Sequence, residues 1–113
     1  MANFKQDILE AVEDEVIEAV VITGIIYEYF SGRADCRNTD SLKAVIKKAI
    51  TWEQAAPLLD YSYDSGYGGM DCHDVLVYTA ENVYYIHEYD GSTSVHCVPR
   101  NPPVITTGDS QLT

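Results

Sequence analysis

The hydrophobic and polar positions of this 113-residue chain follow a helical period in the first half and an alternating one in the second. From Asn3 to about Ile22, the residues Ile8, Leu9, Val12, Val16, Ile17 and Val20 recur at intervals of three and four. That spacing predicts one amphipathic helix, capped by Asn3 and stopped at Gly24. Its other side carries Asp7, Glu10, Asp14 and Glu18 as an acidic ridge. "GIIYEYF" fits either a short strand or an aromatic continuation of the helix, and "SGRADCRNTD" reads as a loop. In "TDSLKAVIKKAI", Asp40 or Ser41 can cap a second helix with Leu42, Val45, Ile46 and Ala49 on its apolar side. In "TWEQAAPLLDY", Thr51 and Gln54 have capping-box spacing, Pro57 keeps the helix short, and Trp52, Leu58 and Leu59 anchor it.

Beyond Tyr61 the pattern alternates. "DVLVYTA", "VYYIHEY" and "SVHCVPR" are three strand-length runs joined by the turn dipeptides "EN" (81–82) and "DG" (90–91), which predicts an antiparallel meander. Two-residue turns at those points set Val77 opposite Ile86 and Ile86 opposite Val95. One face then turns Val75, Val77, Tyr84, Ile86, Val95 and Cys97 toward the helices. The other holds Leu76, Tyr78, Val83, Tyr85, His87, His96 and Val98. The expected fold is an α+β domain over residues 1–103: two or three N-terminal helices packed on a three- to four-stranded antiparallel β-meander. Residues 104–113, following Pro102 and Pro103, are expected as an extended, partly mobile tail.

Charge sharpens the picture. Eighteen acids against seven bases give a net charge of −11. Residues 1–30 hold seven acids and one lysine, residues 31–50 five bases and two acids, and residues 51–113 nine acids and one arginine. Direct binding to nucleic acid or to an anionic membrane is disfavoured, and a basic protein partner is favoured. No apolar run has the length of a membrane span, and "MANFKQDILE" lacks a signal-like pattern, so a cytoplasmic protein is expected. Cys36, Cys72 and Cys97 contain no CxxC pair, which favours reduced thiols.

Two chemistries compete for the stretch "YSYDSGYGGMDCH". Cys72, His73, His87 and His96 offer a metal- or thiol-dependent site, but zinc needs about four converging ligands and HExxH, CxxC and HxH spacings are absent. Asp71 and Asp74 flank the thiol and oppose its ionisation. No cofactor or metal is therefore expected. The mixture of Tyr61, Tyr63 and Tyr67 with aspartates, serines and glycines suits protein recognition instead. The partner-binding residues expected on this reading are Glu10, Asp14 and Glu18 on the ridge and Asp60, Tyr63, Asp64, Tyr67 and Asp71 in the loop. The sequence leaves open whether ridge and loop share one face. A third reading is a homodimer that buries Tyr78, Tyr85, His87 and Val98.

The stretch "WEQAAPLLDYSYDSGYGGMDCH", followed by "YDG" and "PRNP", resembles a group of small acidic proteins of phages and mobile elements. In size and charge the chain is similar to anti-restriction and anti-CRISPR inhibitors among them. The resemblance implies a stoichiometric, non-enzymatic inhibitor of a host defence nucleoprotein, with carboxylates standing in for phosphates, and it assigns no residue a role.

Overall fold

The computed structural model describes residues 2–27, 35–66, 70–89 and 91–101. Tyr67, Asp90, Pro102, Pro103 and the expected tail, residues 104–113, lie outside the described residues. In chain order the elements are β1 (Ala2–Asn3), α1 (Phe4–Val12), β2 (Ala19–Ile22), α2 (Asp40–Val45), β3 (Ala49–Ile50), α3 (Trp52–Leu59), β4 (Ser62–Tyr63), β5 (Val75–Tyr78), β6 (Asn82–Tyr89) and β7 (Ser92–Pro99). The fold is α+β. Five antiparallel strands form one sheet in the order β3-β2-β5-β6-β7, and β1 pairs with β4 in a second, two-stranded sheet.

The first helix is shorter than its spacing implies. Asn3 caps it by accepting from the Gln6 N–H at 2.9 Å, as expected, but Glu13 adopts φ 59° and ends it at Val12. Val16, which the helical period would bury, is 78% exposed. The next apolar run, Ala19–Ile22, carries three β-branched residues and buries only Val20 and Ile22, so it follows the two-residue period of a strand. It enters the sheet between β3 and β5. The acidic ridge therefore breaks after Glu10: Asp14 lies in the α1–β2 connection, and the Glu18 N–H donates to the Tyr78 carbonyl.

The second helix is also cut short, because Ile46 turns extended and Lys47 takes φ 63°. Thr39 caps it, not Asp40 or Ser41, and Ala49 becomes part of β3. In α3 the capping box forms as expected: Thr51 Oγ1 accepts from the Gln54 N–H at 3.1 Å and Gln54 Oε1 accepts from the Thr51 N–H at 3.0 Å. Thr51→Ala should lower stability by about 1 kcal/mol, read from the denaturant midpoint.

The meander is present, with one register correction. Ile86 faces Val95 as expected, but Val77 faces Tyr84. The turn is centred on Ala80 and Glu81, because Thr79 and Asn82 pair across it and both bond to Glu15: Thr79 Oγ1 donates to Glu15 Oε1 at 2.8 Å and Asn82 Nδ2 at 3.0 Å. The Tyr84 hydroxyl donates to the other carboxylate oxygen. A shift of two residues keeps every side chain on its face. Val75, Val77, Tyr84 and Ile86 are accordingly buried with Phe4, Ile8, Val12, Leu42, Ala55 and Leu59 in one core. Cys97, expected to face the helices, is exposed on the outer part of β7. On the other face Leu76, Tyr78, Val83, Tyr85 and His87 are half-buried, and His96 and Val98 are exposed. No described helix is long and apolar enough to cross a membrane.

Candidate binding cleft beside the tyrosine loop

The loop that follows α3 begins inside the protein. β4 pairs with β1, setting Tyr63 opposite Ala2, and the Tyr63 ring packs edge-on against Phe4 at 5.3 Å. Its hydroxyl donates to Asp7 Oδ2 at 2.5 Å. Burial and the neighbouring Asp7 carboxylate raise the Tyr63 pKa, so the phenol stays protonated and remains a donor. Tyr63, expected as a contact residue, is 1% exposed, and its ring belongs to the core.

Tyr61 and His73 form the second internal anchor. His73 is fully buried, with Nε2 2.8 Å from Asn38 Oδ1 and Nδ1 2.8 Å from the Tyr61 hydroxyl. Asn38 bonds both backbone groups of Ile26, Nδ2 to the carbonyl at 2.6 Å and Oδ1 to the N–H at 2.9 Å, and this fixes its amide orientation. Oδ1 can only accept, so His73 Nε2 carries the proton and Nδ1 accepts from Tyr61. Burial, aided by the Arg37 guanidinium and opposed by Asp35, pulls the His73 pKa down to about 4 and keeps the ring neutral. Arg37 lies over the Tyr61 ring, 4.9 Å from its centroid, and binds Asp35 at 2.8 Å and Asp71 at 2.7 Å. Cys72 is buried, and desolvation with the Asp71 charge pushes its thiol up to about 12. This thiol is not poised as a nucleophile.

The metal or thiol centre does not assemble from the residues that suggested it. Cys72 belongs to the core and His73 is closed within its network, while His87 and His96 stack on each other, 4.4 Å between ring centroids, on the outer sheet face. Among the described residues, no three His, Cys, Asp or Glu side chains converge on a point that could hold a metal ion.

Several expected contact acids are engaged within the fold. Glu18 pairs with Arg100 at 2.5 Å, Asp60 accepts from Asn3 at 3.0 Å and pairs with Lys5 at 3.4 Å, and Asp71 holds Arg37 and the Asp64 N–H. Asp64 is exposed and caps the Gly66 N–H at 2.9 Å. Glu10 and Asp14 are exposed and form no ion pair among the described residues.

Helix and loop do meet. The Tyr63–Asp7 bond joins them, and the Thr93 N–H donates to the Ser65 carbonyl at 2.7 Å, tying the loop to β7. Between α1 and β7 lies an open cleft of about 360 Å³ lined by Asp7, Glu10, Ala11, Tyr63, Thr93, Ser94 and Val95. No described cation pairs with either of its carboxylates. The sequence reading placed Asp7 on the ridge but overlooked Thr93. The signal was available, because Thr93 alternates with Val95 and so shares its face. Comparison with family models, with curated proteins and with solved structures finds no match for this chain.

Proposed function

We propose that the protein works by stoichiometric binding to a basic, nucleic-acid-binding protein or complex of the host, in the manner of an anti-CRISPR or anti-restriction inhibitor. One observation carries the reading: Asp7 and Glu10 line a cleft at the meeting of helix and loop, without a cation among the described residues to neutralise them. A surface of that kind attracts a basic partner over a distance and competes with its nucleic acid, giving fast association that weakens with salt. Glu13 and Asp14, both exposed just beyond α1, extend the field. An enzymatic reading lacks comparable support, since the buried thiol and the buried neutral imidazole are already committed to the core.

The test is capture by the tagged protein from bacterial lysates that contain restriction and CRISPR machinery. The expected result is one nucleic-acid-binding complex, released by salt and by competing DNA. The double reversal Glu10→Lys and Asp14→Lys should weaken capture by about tenfold or more while leaving the thermal unfolding curve in place. Undiminished capture by a folded double variant would remove the acidic surface from the explanation.

A further inference from the structure

We infer that the outer edge of β7 is a docking edge, which takes up an extended basic segment of the partner as a further antiparallel strand of the sheet. The inference rests on the reading above for the identity of the partner, but the backbone chemistry is local to the edge.

β7 lies at one end of the five-stranded sheet, so only one of its sides is paired within it. Two hydrogen bonds show which residues face the other side. The Arg100 N–H donates to the Glu81 carbonyl at 2.7 Å, which continues the β6–β7 ladder one pair beyond Asn82 and Pro99. Hydrogen-bonded pairs alternate along an antiparallel ladder, so the bonded pairs are Val83–Val98, Tyr85–His96 and His87–Ser94. The backbone groups of Thr93, Val95 and Cys97 therefore point away from β6. Thr93 bears this out, because its N–H leaves the sheet to reach the Ser65 carbonyl at 2.7 Å. Val95 and Cys97 have no such partner: no hydrogen bond among the described residues takes up their outward N–H or carbonyl.

Edge strands are ordinarily shielded by brevity, charge, proline or a bulge. At the opposite edge of the sheet, β3 is two residues long. β7 runs for eight residues, and its register with β6 is unbroken from Ser92 to Pro99. Its sequence, "STSVHCVP", holds no Asp, Glu, Lys or Arg, and its one proline stands at the far end. A long edge without these devices is a template for another strand.

Charge selects the occupant. A second copy of this chain would bring another net charge of −11 to the edge, and that repulsion opposes self-pairing. The cleft beside Thr93 and Val95 instead has Asp7 and Glu10 on its helical wall. Directly opposed residues of paired strands place their side chains on the same face. A partner residue opposite Val95 therefore shares the face on which Val95 packs against the core, toward α1 and its carboxylates. A basic side chain suits that position and the one two residues on. The intervening side chains project to the other face, beside His96 and Val98, where threonine or valine fits a strand.

The test uses the isotope-labelled, full-length protein and a capped peptide that alternates threonine and arginine, read by amide chemical shifts and amide hydrogen exchange. The expected result is saturable binding in which the Val95 and Cys97 amides, quick to exchange in the protein alone, slow by about tenfold or more. Methylating the backbone nitrogens of the arginines blocks the bonds to β7 and keeps every charge, and it should weaken binding by about tenfold or more. Methylating those of the threonines, which face away from β7, should cost far less. Glutamate in place of the arginines should abolish binding. Cys97→Pro removes an outward N–H and no bond to β6, so it should weaken binding by about tenfold in a folded protein. The methylated peptides keep the test readable if that variant misfolds. Equal affinity of the two methylated peptides would reduce the contact to charge and overturn the assignment. So would Val95 and Cys97 amides that already exchange slowly in the protein alone, or whose protection rises with protein concentration before any peptide is added. Peptide binding without a captured partner would retain the edge and remove the proposed function. Capture undiminished by a folded Cys97→Pro variant would retain the function and remove the edge.

Discussion

Replacing Asn38 by alanine should destabilise the protein by roughly 3–4 kcal/mol, a large fraction of the stability of a domain this size. The residue is 7% exposed, and its side chain is the only amide that spans the Ile26 backbone and the His73 ring among the described hydrogen bonds. Alanine leaves the Ile26 N–H and the His73 Nε2–H without those acceptors, and each buried donor so abandoned costs about 1–3 kcal/mol. The Ile26 carbonyl suffers less, because it still accepts from the Asp35 N–H at 3.0 Å. The loss should appear as a shift of the denaturant midpoint with little change in slope. A variant that loses less than about 1 kcal/mol would mean that water replaces the amide, and that the network is less closed than its geometry implies.

That network was the least legible part of the molecule. Local devices were readable: the Thr51–Gln54 capping box, the Asn3 cap and the Ile86–Val95 pairing each depend on residues close in sequence or on simple alternation. Asn38, by contrast, lies 35 residues from His73 and 12 from Ile26, in a stretch whose sequence reads only as a loop. The acidic stripe misled for a related reason. Charges at helical spacing describe a ridge only while the helix continues, and Glu13 ends it through its own backbone conformation. Of the acids beyond that point, Glu15 locks the β5–β6 turn and Glu18 holds Arg100, so negative charge that looked like binding surface is partly internal structure. The cleft could be anticipated only in pieces. Asp7 and Glu10 were visible as helix neighbours, whereas the approach of Thr93 depends on how β7 lies against α1.

Acid should weaken the fold above the range where carboxylates titrate, and His73 should be the cause. Its pKa falls from 6.5 to about 4, chiefly through burial. The sign follows from proton counting: between those values the unfolded chain binds a proton that the folded chain refuses, so stability is fully present above pH 6.5 and declines as pH falls toward 4. The difference corresponds to about 3 kcal/mol across the window. Glu15, Asp35 and Asp60, all held below their ordinary values by hydrogen bonds, add their own losses at lower pH, and Asp74, raised by burial, works against them. Denaturant midpoints measured in steps through the upper part of the window isolate the histidine. The wild type should show a slope of about 1 kcal/mol per pH unit there, and His73→Gln should be less stable at neutral pH yet nearly flat. Asn38→Asp supplies the opposite control. It sets a carboxylate against Nε2, favours the imidazolium and should move the acid loss to lower pH, whatever it takes from stability at neutral pH. A wild-type profile as flat as that of His73→Gln would show that the ring gains its proton without disturbing Tyr61 and Asn38, and the closed neutral network would have to be given up.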